Sequence, residues 1–338
     1  MLVVVAAPDL DGHRTGAGHP ERAARMPAAL GGIDAADVRD AVVAIPPRRA
    51  TEAELVRAHR PTYLDALRSF CHAGGGAIDP DTEAVPGSWD TALLAAGAPI
   101  AATEALRRGD GDVAFVAMRP PGHHATEDQA MGFCLLNNVA VAAAALAVAG
   151  ERVLIVDWDV HHGNGTQAIF WNDPRVLYVS THQWPLFPGT GRATETGGSD
   201  APGTTLNIPV PPGATGDVLL QAFDEVLAPA AERFAPDWVL VSAGFDGHRR
   251  DPLADLALTA GDFADLAARV HALAPGPGRT VLVLEGGYDE EALRLSVGAS
   301  LAAVLGTSFR PEQASSGGPG SSAVTAARQA HEDSAAAR

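Results

Sequence analysis

The sequence DWDVHHGNGT at residues 157–166 follows directly on the apolar run RVLIV at residues 152–156. β-Branched residues over this length predict a buried strand, and the glycines that follow predict where it ends. Side chains alternate between the two faces of a strand, so Asp157, Asp159 and His161 point the same way if extended geometry continues. Open α/β sheets bind ligands where their parallel strands end, so this stretch predicts a fold class and a site together.

The side chains of Asp157, Asp159 and His161 offer a mixed set of oxygen and nitrogen ligands. Such a set suits Zn²⁺ or a similar divalent ion. The alternative is a polar strand end whose acids are simply solvated by water. Three potential ligands at alternate positions beside a glycine turn make the metal site the stronger interpretation.

Further apolar segments along the chain also have the composition of strands. They lie at residues 2–7, 42–45, 113–117, 152–156, 176–180, 205–210, 238–242 and 280–284. Segments with helical spacing separate most of them, which predicts an α/β fold with a parallel sheet flanked by helices. From Ser308 onward the chain is mostly Ser, Gly, Ala and charge, which is typical of flexible segments. We therefore predict one domain over residues 1–307 and a flexible C-terminal tail over residues 308–338.

The composition excludes several kinds of function. The formal net charge is −17, and all 24 basic residues are arginine. A chain without lysine has no Schiff-base or pyridoxal-phosphate lysine and no P-loop lysine. A strongly acidic protein repels nucleic acid, so we expect no direct nucleic-acid binding. The acidity would favour a cationic substrate or partner, although an acidic surface also serves solubility alone.

Cysteine content and hydropathy bear on the location of the protein. Cys71 and Cys134 are too few for a disulfide framework or a four-cysteine metal site. No apolar run reaches membrane-spanning length, and the apolar start at residues 2–7 lacks the basic segment of a signal peptide. We therefore expect no membrane association and a cytoplasmic location.

Unusual polar residues follow several of the predicted strands. These loops are RPPGHH at 119–124, the stretch 157–164, Asp246 with His248, and GGY at 286–288. Because the carboxyl ends of parallel strands share one sheet edge, one site is the simplest account of all of them. Asp159, His161 and Asp246 would supply three protein ligands and leave one position for water, which marks a catalytic zinc site.

The remaining polar residues of these loops suit the chemistry around such a metal. The adjacent pair His123 and His124 can act as general base and general acid. Tyr288, on a glycine turn, can donate its hydroxyl to a developing oxyanion. A structural histidine pair and a half-buried surface tyrosine are the alternatives, and they explain the set poorly when taken together.

Six motifs resemble the histone deacetylase family, in particular its class II and bacterial amidohydrolase branch. They are RPPGHH, GFCLLNN, DWDVHHGNGT, FPGTG, SAGFDGHRRDPL and EGGYD, and the resemblance extends from about His19 to Leu305. It implies the arginase–deacetylase α/β fold, whose central eight-stranded parallel sheet agrees with the eight predicted strands. It also implies zinc-dependent hydrolysis of the amide in an N-acetylated amine, with release of acetate and a metal-bound water as nucleophile.

The resemblance assigns roles to individual residues. Zn²⁺ is expected on Asp159, His161 and Asp246, with His123 and His124 as the catalytic pair and Tyr288 at the oxyanion. The walls of an acyl-lysine tunnel are expected at Phe133 and Phe187, with Gly132 beside the substrate. A structural K⁺ is expected on groups of Asp157, Asp159, His161 and Ser180. Arg22 resembles an arginine of the internal acetate channel, and Asp79 resembles a loop aspartate that holds the substrate backbone.

Two positions bear on mechanism and substrate. Asn164 stands where class I members of the family have an aspartate, and a neutral amide orients an imidazole without favouring its charged form. This predicts His124 as a neutral base and His123, beside Asp157, as its charged partner. Leu253 stands where the polyamine-selective branch has a glutamate, which weakens an acetylpolyamine substrate relative to an acetyl-lysine-like one.

Other functions remain open at this point. An arginase-like ureohydrolase with two metals would need more aspartates after the late strand, where Ser242 to Asp246 contains one. A non-catalytic acyl-lysine binder would keep the pocket and lose the chemistry, but Tyr288 is present. The expected partner is a small-molecule or peptide substrate that carries an acetylated amine. The oligomeric state stays open.

Overall fold

A computed structural model describes residues 1–7 and 12–336. Eight strands form the central sheet, in the spatial order β2-β1-β5-β10-β9-β6-β7-β8. All of its neighbouring strands pair in parallel. In chain order the strands are β1 (Leu2–Ala6), β2 (Val42–Ile45), β5 (Val113–Ala117), β6 (Val153–Asp157), β7 (Val176–Gln183), β8 (Thr205–Val210), β9 (Trp238–Ala243) and β10 (Thr280–Leu284). Strands β3 (Gly76–Ala77) and β4 (Glu83–Ala84) form a separate antiparallel hairpin. The predicted strands and the parallel α/β sheet are confirmed.

Helices flank this sheet. They are α1 (Arg25–Ala35), α2 (Glu52–Leu55), α3 (Pro61–His72), α4 (Ser88–Arg108), α5 (Asn138–Val148), α6 (Asn164–Phe170), α7 (Gly216–Ala222), α8 (Ala228–Phe234), α9 (Ala260–His271), α10 (Glu290–Val304) and α11 (Ser321–Ala336). A π-helical turn, Phe223–Leu227, joins α7 to α8. None of the helices in the described part of the chain is both long enough and apolar enough to span a membrane.

The central strands are buried on both faces, which explains their continuous apolar sequence. Every residue of β6 is buried. Leu154 and Val156 pack into one hydrophobic core and Val153 and Ile155 into another, so the alternation of side chains divides the strand between two layers. The two cores fix the register of β6, because a shift of one residue would exchange their contents.

The strand order brings the polar loops together. β5, β10, β9 and β6 are consecutive neighbours in the sheet, and each of the four loops noted above follows one of them. Since all four strands run the same way, their carboxyl ends meet at one edge. This arrangement confirms the inference that the loops share a location.

The C-terminal segment differs from the flexible tail predicted for residues 308–338. α11 packs along the outermost strand β8, with Val324 fully buried and Ala327 nearly so. These two residues are one helical turn apart, so even a short apolar stripe covers part of the core beside an edge strand. This stripe is difficult to recognise in the alanine-rich sequence of α11, because Val324 is the only large apolar residue of the stripe.

Substitution of Val324 by Asp tests whether α11 belongs to the folded core. A carboxylate buried without a partner should lower the free energy of unfolding by about 3 kcal/mol. The matched control is Thr325→Asp, because the neighbouring side chain is exposed; its effect should stay within about 0.5 kcal/mol. Thermal and urea denaturation measure both changes. Equally small effects of the two substitutions would contradict this packing.

Candidate functional site

Three potential metal ligands converge at the sheet edge. Asp159 and His161 lie in the bend after β6, and Asp246 lies in the loop after β9. His161 Nδ1 is 3.2 Å from Asp159 Oδ1 and 3.1 Å from Asp246 Oδ2, and all three ligand atoms lie within 4.8 Å of one another. Both carboxylates are buried. Two buried carboxylates this close need a cation to offset their repulsion and desolvation, so the group fits a divalent metal.

Backbone groups hold these carboxylates in place. The Val160 N–H donates to Asp246 Oδ1 at 2.9 Å, and the Gly286 N–H donates to Asp159 Oδ2 at 2.8 Å. A Cβ atom at Gly244 would lie 2.1 Å from Asp159 Oδ2, so only glycine leaves room for the carboxylate there. The ligand geometry is therefore built by the folded chain itself.

Asp157 does not join this group, although the sequence placed it on the same face as Asp159. β6 ends at Asp157 and the chain then bends, so the alternation of an extended strand stops there. The Asp157 carboxylate is fully buried, lies 3.0 Å from His123 Nδ1 and accepts a hydrogen bond from the Tyr178 hydroxyl at 3.1 Å. Ser180 is its register neighbour on β7. Asp157 is thus a partner of the histidine pair.

The two adjacent histidines have different partners. Their rings lie 4.0 Å apart, and His124 Nδ1 is 2.9 Å from Asn164 Oδ1. Burial alone would lower the pKa of His123, but the carboxylates of Asp159 and Asp157 outweigh it and hold that pKa well above its usual value. Burial and the neighbouring His123 hold the pKa of His124 well below its usual value. These opposite pKa shifts favour the charged form of His123 and the neutral form of His124.

The tautomer of His124 follows from its contacts. Asn164 Nδ2 donates to the His124 carbonyl at 3.4 Å, so its Oδ1 is the atom that faces the ring. An amide oxygen only accepts, hence His124 Nδ1 carries the proton and donates it. The lone pair of Nε2 then remains available to accept a proton from a reacting group.

Glu285 positions the histidine loop and was not identified from the sequence. Its side chain is fully buried and accepts the backbone N–H groups of Gly122 at 2.6 Å and His123 at 3.2 Å. Burial raises the pKa of this carboxyl to about 7. The signal that was available is an acid directly after an apolar strand, the same pattern that identified Asp157.

Tyr288 lies at the end of the glycine turn after β10. Its N–H donates to Asp251 Oδ2 at 2.7 Å, and the Arg25 guanidinium lies 4.9 Å from the centroid of its ring. Arg25 also donates to the Gly287 carbonyl at 2.7 Å. Burial raises the pKa of the Tyr288 hydroxyl well above its usual value, so the group stays protonated and can donate a hydrogen bond.

Arg22 does not line the interior, in contrast to the role that the resemblance implied. Its side chain is 51% exposed and pairs with Glu290 at 2.7 Å. Arg25, three residues further on, is 1% exposed and contacts the tyrosine loop instead. Arg22 precedes α1 on its solvent side, whereas Arg25 begins the helix on its buried side. Sequence spacing alone did not separate the two arginines.

Two phenylalanines flank the histidine pair and the tyrosine. The ring of Phe187 lies 5.1 Å from that of His124, and the ring of Phe133 lies 5.8 Å from that of Tyr288. Gly132 has φ of +56°, and a Cβ there would lie 2.4 Å from His124 Cδ2. The structure therefore brings together the residues expected to form an aromatic passage.

The two predicted rim residues lie in turns beside this passage. Asp79 Oδ1 accepts the N–H groups of Asp81 and Thr82, and Thr82 Oγ1 accepts the Phe133 N–H at 3.1 Å. Leu253 is half-buried, and its N–H donates to the second oxygen of the Asp251 carboxylate at 3.0 Å. Asp251, which the sequence analysis did not single out, thus connects the Leu253 turn to the Tyr288 turn.

Comparison with known proteins gives consistent matches. The sequence matches the family model described as "Histone deacetylase domain" over residues 19–304. It is 41% identical to a "Probable deacetylase" of Archaeoglobus fulgidus, over 82% of this chain and 79% of that protein. It is 44% identical to a "Histone deacetylase-like amidohydrolase" of Pseudomonas aeruginosa, over 71% of this chain and 65% of that protein. The solved structure titled "Crystal Structure of HDA15 HD domain" superposes with a TM-score of 0.90 and 34% identity, over 98% of this chain and 96% of that one.

Substitution of Asp246 by Asn tests the metal ligands. Asparagine keeps an oxygen for the Val160 N–H but replaces the second carboxylate oxygen with an amide nitrogen. Metal content after gel filtration, measured by elemental analysis, should fall by more than about tenfold. Glu285→Gln, which alters a buried acid bonded to backbone N–H groups, should keep its metal. Stoichiometric metal in the Asp246 variant would refute the assignment.

Proposed function

The chain belongs to the histone deacetylase family and is a hydrolase of amide bonds, and we propose that it removes acetate from an acetyl-lysine-like side chain with the help of bound Zn²⁺. The observation that carries this proposal is the convergence of the three potential ligands, the histidine pair and Tyr288 beside two phenylalanine rings. Each group alone has a structural explanation. Together they supply the parts that amide hydrolysis needs.

The proposed metal is zinc, on the chemistry of its ligand set. Members of this family are metal-dependent, and Asp159, His161 and Asp246 form a candidate site in the described residues. Two carboxylates and one imidazole suit zinc and leave a coordination position open. A zinc ion bound there would polarise the substrate carbonyl and lower the pKa of a water molecule.

The histidines divide the proton transfers between them. His124 Nε2, neutral and with its tautomer set by Asn164, accepts a proton when water attacks the carbonyl. His123, whose pKa the carboxylates of Asp159 and Asp157 raise, supplies positive charge beside the developing negative charge. The proton on His124 then goes to the departing amine, which leaves as the product.

Tyr288 stabilises the oxygen that becomes negative. Its protonated hydroxyl donates a hydrogen bond to that oxygen, and Asp251 and Arg25 fix the turn from which it reaches. Phe133 and Phe187 exclude water from the acylated arm and contact its methylene groups. Each buried methylene contributes roughly 0.8 kcal/mol to binding.

A structural K⁺ beside the site is part of the same proposal. Within the described residues, the carbonyl oxygens of Asp159 and His161 accept no hydrogen bond. The Asp157 carboxylate is buried at the end of β6, and Ser180 lies next to Asp157 on the adjacent strand β7. Buried carbonyl oxygens that accept no hydrogen bond are suitable ligands for a cation such as K⁺.

A substrate comparison tests the proposed function. We expect kcat/KM for an acetyl-lysine peptide to exceed that for N-acetylputrescine and N8-acetylspermidine, because Leu253 offers no carboxylate to a second buried ammonium. The measurement is release of acetate under one buffer. A polyamine advantage of more than about tenfold, or roughly 1.4 kcal/mol, would contradict the acetyl-lysine preference. No turnover of any of the three would contradict the proposed function.

Substitution of Tyr288 by Phe tests the oxyanion donor. The variant should bind metal normally and lose kcat by about 10²–10³-fold on an unactivated acetyl-lysine amide, with a smaller change in KM. The hydroxyl acts on charge that is present mainly in the transition state, so kcat suffers more than binding. Steady-state kinetics and metal analysis give both values. An unchanged kcat would remove Tyr288 from the mechanism.

Separate alanine substitutions of His123 and His124 test the division of labour. His124→Ala should lower kcat by at least about tenfold more than His123→Ala, because only the neutral histidine takes the proton. Single-turnover rates of the metal-loaded variants provide the comparison. Equal impairment, or the opposite order, would show that the partners Asp157 and Asn164 do not set the roles.

A further inference from the structure

We propose that a cavity between α3 and the β3–β4 hairpin binds a lysine or arginine side chain that neighbours the acetylated residue of a polypeptide substrate. The cavity has a volume of about 460 Å³, and the residues that line it include Tyr63, Leu67, Phe70, Ile78, Asp79 and Asp128. This volume lies within the range of small-ligand sites. The inference rests on the proposed function, because it describes a second part of the same substrate.

The residues that line the cavity are of two chemical kinds, apolar and acidic. Leu67, Phe70 and Ile78 provide apolar walls, while Asp79 and Asp128 provide carboxylates. Lysine and arginine side chains combine an apolar stem with a charged head. Their stems suit the walls and their heads suit the carboxylates, whereas an acidic or purely apolar group would satisfy only one of the two.

Asp79 has no ion-pair partner among the residues that the structure describes. Its contacts are to backbone N–H groups of its own loop and to the Asp81 carboxyl. Burial, and then the adjacent Asp79 carboxyl, raise the pKa of Asp81. Two carboxyl groups this close together favour an external cation.

The arginines nearest to the cavity in sequence are already paired. Arg68 pairs with Asp65 at 2.6 Å. Arg60 pairs closely with Glu127 and lies 3.7 Å from Asp128. Arg60 thus offsets part of the charge of Asp128, whereas neither arginine pairs with Asp79, whose charge is left for an external cation.

The cavity is connected to the aromatic passage through two short segments of the chain. Ala130 lines the cavity and is three residues before Phe133, a separation of at most about 10 Å along the backbone. On the other wall, Thr82 closes the Asp79 turn and holds the Phe133 N–H at 3.1 Å. In an extended peptide, residues two apart are about 7 Å apart. A residue one or two positions from the acetyl-lysine therefore reaches the cavity.

Matched peptides test this subsite. Each pair carries acetyl-lysine and differs at one flanking position, with arginine in one peptide and its neutral isostere citrulline in the other. For at least one position within two residues of the acetyl-lysine, the wild-type protein should prefer arginine by about fivefold or more in kcat/KM, mainly through KM. The measurement is release of acetate by the metal-loaded protein.

Asp79→Asn is the decisive variant. Asparagine keeps the oxygen that accepts the Asp81 and Thr82 N–H groups, so it removes the charge while preserving the turn. The arginine preference should fall at least threefold. Asp65→Asn removes the same charge from the outer face of α3, where the side chain is 69% exposed, and should keep the full preference. This control separates a local contact from attraction by the net charge of −17.

A steric variant gives an independent measurement. Ala66 lies on α3 and lines the cavity, so Ala66→Leu should fill part of it and also reduce the arginine preference. A wild-type protein without the preference, or an Asp79→Asn variant that keeps it, would overturn the subsite while leaving deacetylation intact. If neither peptide were hydrolysed, the proposed function would fail instead. Equilibrium binding of the same peptides would then decide, and equal affinities would overturn the subsite.

Discussion

The structure depends on the burial of two carboxylates, Asp159 and Asp246, against a single imidazole. Carboxylates this close repel each other strongly in a medium from which water is excluded, and burial, then the Asp159 charge, raise the pKa of Asp246. The fold offsets the repulsion with backbone N–H donors and with glycines that leave space. At Gly286, for example, a Cβ would lie 2.1 Å from Asp246 Oδ2. A bound cation would supply the remaining offset, and the candidate ligands for it follow the parallel strands β6 and β9.

The difference between the two histidines illustrates how small changes in partner produce opposite charge states. His123 and His124 are adjacent in sequence and both are buried. The carboxylates of Asp159 and Asp157 raise the pKa of His123, whereas burial and the neighbouring His123 lower that of His124, which has only an amide partner. The fold gains from this arrangement because two cationic rings 4.0 Å apart would repel each other. The arrangement that reduces repulsion within the histidine pair thus also gives the pair two members with different proton affinities.

Most of the fold and the centre of the site could be predicted from the sequence, for local reasons. Runs of β-branched residues identify buried strands, and polar residues after such runs identify the sheet edge. The roles of Arg25 and Asp251 could not be predicted in this way, because their contacts join segments far apart in the chain. Glu285 carries the signal of an acid directly after an apolar strand, but its contact with the histidine loop is visible only in the tertiary structure. The resemblance points to Arg22, and the sequence does not reveal that Arg25, on the other side of the helix start, is the buried arginine. α11 was missed because its burial depends on an edge strand that only the tertiary fold creates.

The short segment after β10 contacts several parts of the site at the same time. Glu285 holds the histidine loop, Gly286 holds Asp159, and Tyr288 follows two residues later. A rigid displacement of this short segment would therefore move the histidine loop, Asp159 and Tyr288 in the same direction. The segment thus couples the histidine loop, Asp159 and Tyr288 to one another, so a substitution at any of its positions would affect the whole site.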